Sequence, residues 1–132
     1  MRNLDIDENI EALVIRTMPN NESKKSYTYT GTNPPYIDSK IAAYLIDRGV
    51  THILVDLPSV DREQDDGVLA FHHAFWNVPE NPNTNRTITE FIFVPSNVAD
   101  GRYVLDLQMS AFRNDASPSR PILYSMEKRK LC

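Results

Sequence analysis

The sequence predicts an α/β fold with few helices and a mixed sheet. Three observations carry that expectation. Short runs rich in β-branched and aromatic residues, such as Ile53-Leu54-Val55 and Phe91-Ile92-Phe93-Val94, are cut to strand length by turn-forming residues. A strand, a helix and a second strand fit within residues 11–56, the pattern of a right-handed crossover between strands that run parallel. The last third of the chain alternates apolar and polar residues, which is the signature of strands with one wet face.

Residues 11–17 are short, β-branched and followed by Pro19-Asn20-Asn21, so they read as a buried strand ending in a turn. A polar loop then runs to Asn33-Pro34-Pro35. Residues 38–48 offer Asp38 or Ser39 as a cap, apolar side chains at 41, 44 and 45, and Gly49 after the last turn, which together predict a helix. Val50 falls where a Schellman ending places its hydrophobic contact, and residues 52–56 form the second buried strand.

The loop 57–66 leaves that strand at its C-terminal end, where ligands gather in parallel sheets. It carries Ser59, Asp61 and several further acids, and two readings stand: a functional loop, or a solvated one in which Asp65 or Asp66 caps the next helix. That helix, residues 68–76, is apolar around most of its circumference and is stopped by prolines 79 and 82. Residues 87–94 read as a strand buried on both faces and paired antiparallel, through a turn over 95–101, with residues 102–112. A last strand covers 122–126.

Composition restricts the function. The 132 residues are 41% hydrophobic and 24% charged with a net charge of −4, as expected of one soluble acidic domain spanning 1–132. The basic cluster Lys128-Arg129-Lys130 has no interleaved aromatics, which argues against nucleic acid as a partner. No apolar run approaches the ~20 residues of a membrane helix, so no membrane partner is expected. The first ten residues are acidic without an apolar core, and the one cysteine, Cys132, has no partner in the chain; a cytoplasmic location is the expectation.

Two polar features interrupt apolar segments. His72 and His73 sit in the apolar helix, and adjacent helical residues diverge by about 100°, so at most one is a ligand to a given ion. A histidine there either bonds a carbonyl or carboxylate within the core or serves as that ligand. Glu90 shares a face with Ile88 and Ile92, and a buried carboxylate needs a partner or a proton. Arg86 lies about 13 Å along the strand, too far to serve. An arginine such as Arg16 or Arg113, or a cation shared with a histidine, would meet the need. The spacing of Ser59 and Asp61 does not argue for a nucleophilic triad, and neither a glycine-rich phosphate loop nor a Gly-x-Ser-x-Gly elbow is present.

The segments His52-Ile-Leu-Val-Asp-Leu-Pro-Ser-Val-Asp-Arg-Glu63, His72-His73-Ala-Phe-Trp76, Ile88-Thr-Glu-Phe91 and Asp115-Ala-Ser-Pro-Ser-Arg-Pro-Ile-Leu123 resemble the cyclase-like metal-dependent hydrolases, the kynurenine formamidase-like family. The resemblance runs from about Glu11 to Tyr124. It implies a swivelling β/β/α domain, a zinc or manganese cofactor and hydrolysis of a small amide such as an aryl formamide, or of a lactone, by metal-activated water. It also implies a place in tryptophan catabolism. Carried over by motif, the metal ligands are His72 and Glu90, with His73 the ligand if the register shifts by one.

The family's principal metal motif, His-x-x-x-His-x-Asp, is absent from this sequence, whose remaining histidine is His52. Three protein ligands plus water are the usual minimum for a hydrolytic zinc. The chain is therefore expected to correspond to the C-terminal portion of such an enzyme, incomplete at the N-terminus and inactive alone. The alternative is a catalytically dead cyclase-fold domain acting in oligomeric assembly. Either way a homodimer or larger oligomer is expected, meeting through strand 11–17 or helix 68–76, where Phe71, Phe75 and Trp76 would otherwise be partly exposed.

Overall fold

A computed structural model describes residues 10–126, so the basic cluster at 128–130 and Cys132 lie outside the described residues. Two compact units divide between Pro95 and Ser96. Together they hold the expected α/β elements, two α-helices and a parallel sheet in the first unit and an antiparallel pair of strands in the second.

In the first unit, strands β1 (Ala12–Ile15), β2 (His52–Val55) and β3 (Thr87–Thr89) form a parallel sheet in that order. Helix α1 (Lys40–Asp47) connects the first pair, helix α2 (Ala70–Trp76) the second, and the two helices touch. Ile53, Leu54 and Val55 of the central strand are all buried, as a parallel strand covered on both faces requires. Leu45 of α1, Phe71 and Phe75 of α2, and Val50, Leu57 and Val60 from the loops complete the core.

Local chemistry accounts for the boundaries. The Asp38 carboxylate accepts the Lys40 N–H at 3.0 Å at the start of α1. At its end, Gly49 has φ +82°, and the N–H groups of Gly49 and Val50 reach the carbonyls of Ile46 and Leu45. Those two bonds are the Schellman pair, and the apolar contact that accompanies them sets buried Val50 near buried Leu45. Only glycine adopts that φ without steric cost.

Three expectations are corrected. Phe71 and Phe75 are fully buried with their rings stacked at 6.0 Å, so neither is left for an interface, and Trp76 is half-buried. The strand expected over 87–94 ends at Thr89, and it pairs parallel with β2 rather than forming a hairpin with 102–112. Two residues beyond it, Phe91 adopts φ +57°, and the Phe91 and Ile92 N–H groups bond to the Leu57 and Val55 carbonyls, holding the chain to the end of β2. A left-handed residue breaks the period of two, so Phe91 is 67% exposed rather than buried.

The second unit is a two-stranded antiparallel sheet of β4 (Tyr103–Met109) and β5 (Ser119–Ser125), in which Leu105 lies opposite Leu123 and Val104 opposite Tyr124. The last strand thus begins three residues earlier than the sequence pattern suggests. Pro121, which cannot donate to a ladder, stands opposite Leu107 in this edge strand.

Candidate functional site

The loops that follow β2 and β3 carry Ser59, Asp61 and Glu90, and the first turns of α2 carry His72 and His73. Asp56, the first residue after β2, is buried. Its two carboxylate oxygens accept the Thr17 N–H at 3.0 and 2.9 Å, and one accepts the Lys24 ammonium at 2.8 Å. Lys24 also donates to the Thr17 carbonyl at 2.7 Å and hydroxyl at 2.9 Å, so its three protons all have acceptors. This network ties the 3-10 turn Glu22–Ser26 to the ends of β1 and β2.

The next residues of the same loop organise the site. Ser59 Oγ accepts the Asp61 N–H at 3.1 Å, which shapes the turn. Val60 is fully buried, its carbonyl accepts the Ile37 N–H, and its own N–H donates to Glu90 Oε1 at 2.9 Å. Asp61, only 6% exposed, takes the Phe71 N–H at 2.6 Å and the His72 N–H at 3.2 Å, and its Oδ2 lies 2.6 Å from His72 Nδ1. Asp61 thereby satisfies two of the free N–H groups in the first turn of α2. Asp65, one of the two acids considered as a cap, bonds instead to Gly67 and Leu69 in the approach to the helix.

His72 and Glu90 meet here. His72 Nε2 is 3.7 Å from Glu90 Oε1, with side-chain exposures of 14% and 27%. The neighbouring ring of Trp76 meets the imidazole edge-on at 5.0 Å. His73, one residue on, is exposed. Glu90 is not at the centre of a strand buried on both faces; it follows β3, and it is met by the Val60 N–H and the His72 ring. Arg86, as expected from its distance, is engaged elsewhere, at the Phe75 carbonyl.

The family resemblance implies a divalent cation, and the donor set can be tested against one. Two ligands at ~2.1 Å from a common ion, subtending roughly 110–120°, stand about 3.4–3.7 Å apart. The His72 to Glu90 separation of 3.7 Å fits that span. Among the described residues, however, no group of three or more His, Cys, Asp or Glu side chains is placed to hold an ion. Among the described residues, His72 and Glu90 are the two side chains that stand at that span.

The contact between Asp61 and His72 was missed by sequence reasoning. Eleven residues separate them across an irregular loop, so no periodicity links them. The available signal was the position of Asp61 beyond the C-terminal end of a parallel strand. Ser59, the other residue of that loop, turns its hydroxyl to the Asp61 backbone.

The cyclase family model matches residues 4–62. Kynurenine formamidase of Bacillus cereus is 30% identical over 121 residues, covering 88% of this chain and 50% of the relative. That of Bacillus cytotoxicus is 31% identical over the same length and shares. The chain spans about half the length of the curated relatives it matches. No helix among the described residues is long and apolar enough to cross a membrane. Together, the family match and these relatives support the assignment of this chain to a cyclase-like family.

Proposed function

We propose that this chain carries part of the active site of a metal-dependent hydrolase that cleaves a small amide, an aryl formamide or related substrate, or a lactone, in the cytoplasm. The observation that supports it best is the approach of His72 Nε2 to Glu90 Oε1 at 3.7 Å, with the two side chains held from behind by consecutive residues, Asp61 and Val60. His72 and Glu90 would hold the cation. An imidazole and a carboxylate suit zinc or manganese. When bound, such an ion lowers the pKa of its water to about 7 and polarises the substrate carbonyl.

With two ligands in place of three, the chain alone binds metal weakly and does not turn over substrate. Elemental analysis and an aryl formamide deformylation assay on the chain test this directly. Stoichiometric zinc or manganese together with turnover would show that the ligand set is larger than His72 and Glu90. Zinc titration followed through the His72 ring signals tests the pair itself: a weak response that disappears in Glu90→Gln is expected, and an unresponsive His72 overturns the reading.

A second reading, a catalytically silent cyclase-fold domain acting in homo-oligomeric assembly, is favoured by two observations. Val104, Met109, Phe112, Tyr124 and Met126 are all exposed in the unit beyond Ser96. The outer edge of β1 is also open among the described strands. Sedimentation at micromolar concentration is expected to give a dimer or larger, and the mass of a single chain would refute assembly.

A further inference from the structure

We infer that Asp61 is the positioning residue of this site, holding the proton of His72 on Nδ1 so that the Nε2 lone pair is turned towards Glu90. The inference rests on the reading of His72 and Glu90 as one site, although its central claim concerns a proton and not a metal.

An ionised carboxylate only accepts hydrogen bonds, so the proton in the 2.6 Å contact between Asp61 Oδ2 and His72 Nδ1 belongs to the imidazole. A neutral ring has one N–H, and Nε2 is then an acceptor. The same Asp61 oxygen also receives the His72 backbone N–H at 3.2 Å, and its other oxygen receives the Phe71 N–H at 2.6 Å. Backbone and ring of one residue are therefore fixed by one carboxylate, and the ring plane follows from both.

The opposite nitrogen distinguishes positioning from packing. His72 Nε2 lies 3.7 Å from Glu90 Oε1, beyond hydrogen-bond reach. With Nδ1 protonated, that gap faces two acceptors towards each other, an arrangement that a cation relieves. A histidine serving only the core would need no second carboxylate there. Asp61 and Val60 are consecutive, and Val60 donates to the very oxygen that faces Nε2. One short turn, shaped by Ser59 and anchored by the buried Val60 side chain, thus sets both sides of the gap. Such a carboxylate behind a histidine fixes its tautomer and raises its basicity as a ligand.

The test is the tautomer of His72 in the 15N-labelled chain. It is read from long-range proton to nitrogen correlations and assigned by loss of the signals in His72→Gln. A protonated Nδ1 and a bare Nε2 are expected. Asp61→Asn keeps an amide oxygen for the Phe71 N–H but offers an N–H to the ring, so the proton is expected to move to Nε2. A purely capping role would leave the tautomer unchanged in that variant.

Protonated Nε2 in the unmodified chain, alone or with protonated Nδ1, overturns the inference even if the variant does not fold. So does retention of Nδ1–H in folded Asp61→Asn. Zinc titration separates this inference from the proposed function. A bare Nε2 that zinc does not perturb leaves Asp61 in its role and removes the metal reading. A zinc response weakened roughly 10–100-fold in Asp61→Asn supports both.

Discussion

The two units of this chain use similar strand sequences to different ends. Among the described residues up to Pro95, ten hydrophobic side chains are buried, and the buried acids Asp56 and Asp61 each have more than one donor. From Ser96 to Met126 no residue is buried, although Leu105, Leu107 and Met109 alternate with Asp106 and Gln108. Alternation is a property of the strand, whereas burial requires layers on both sides of it. The parallel unit has α1 and α2 packed with its sheet, and its strand ends are free to carry polar loops. A two-stranded sheet has no such layer within itself and is marginal in water alone.

Core truncation gives the largest expected contrast. Phe71→Ala removes a fully buried ring stacked on Phe75 and is expected to cost about 3–5 kcal/mol. Val104→Ala, at an exposed position opposite Tyr124, should stay within about 0.5 kcal/mol. Urea denaturation of both variants measures the difference. Equal losses would mean that the exposed face of the hairpin is covered in solution, which would favour the assembly reading.

Two adjacent lysines sharpen the same point on the polar side. Lys24 is bound to Asp56, whose side chain is inaccessible, and Lys24→Met leaves a buried charge short of its partner, at a cost of roughly 3 kcal/mol. Lys25 pairs with exposed Glu22 and lies over the Phe93 ring at 4.4 Å. Lys25→Met should cost less than about 1 kcal/mol, and added salt should shrink even that. A comparison of the denaturation midpoints with and without salt checks both.

What was legible in the sequence follows the reach of each signal. The helix ending at Gly49 and the central strand were readable because caps and continuous apolar runs act over a few residues. Partner choice was legible only for β1 and β2, whose crossover spacing predicts the parallel pair observed. Thr87-Ile88-Thr89 and the segment after Gly101 look alike as strands, and period two says which face a residue occupies but not which strand lies beside it. For the site, the pairing of His72 with Glu90 came from the family resemblance, because the end of α2, a loop and β3 separate them. Asp61 stands out in the sequence as a member of the acidic loop and beside Ser59 as a triad candidate that the spacing does not support. Its grip on His72 depends on how that loop folds back over α2, which neither composition nor spacing encodes.

The smallest expected effect concerns the residue after Glu90. Phe91 holds φ +57° with most of its ring in water, and its N–H is tied to the Leu57 carbonyl. The left-handed region costs a bulky L-residue about 1–2 kcal/mol, and asparagine tolerates it far better. Phe91→Asn therefore gains on the backbone. It also loses the edge-to-face contact with Tyr29, whose ring centre is 6.1 Å away, worth about 0.5–1 kcal/mol at an exposed position. The backbone gain is the larger of the two, so the variant should be more stable by about 0.5 kcal/mol in urea denaturation. Destabilisation beyond about 1 kcal/mol would show that the aromatic contact, and not the hydrogen bonds to Leu57 and Val55, holds this turn beside Glu90.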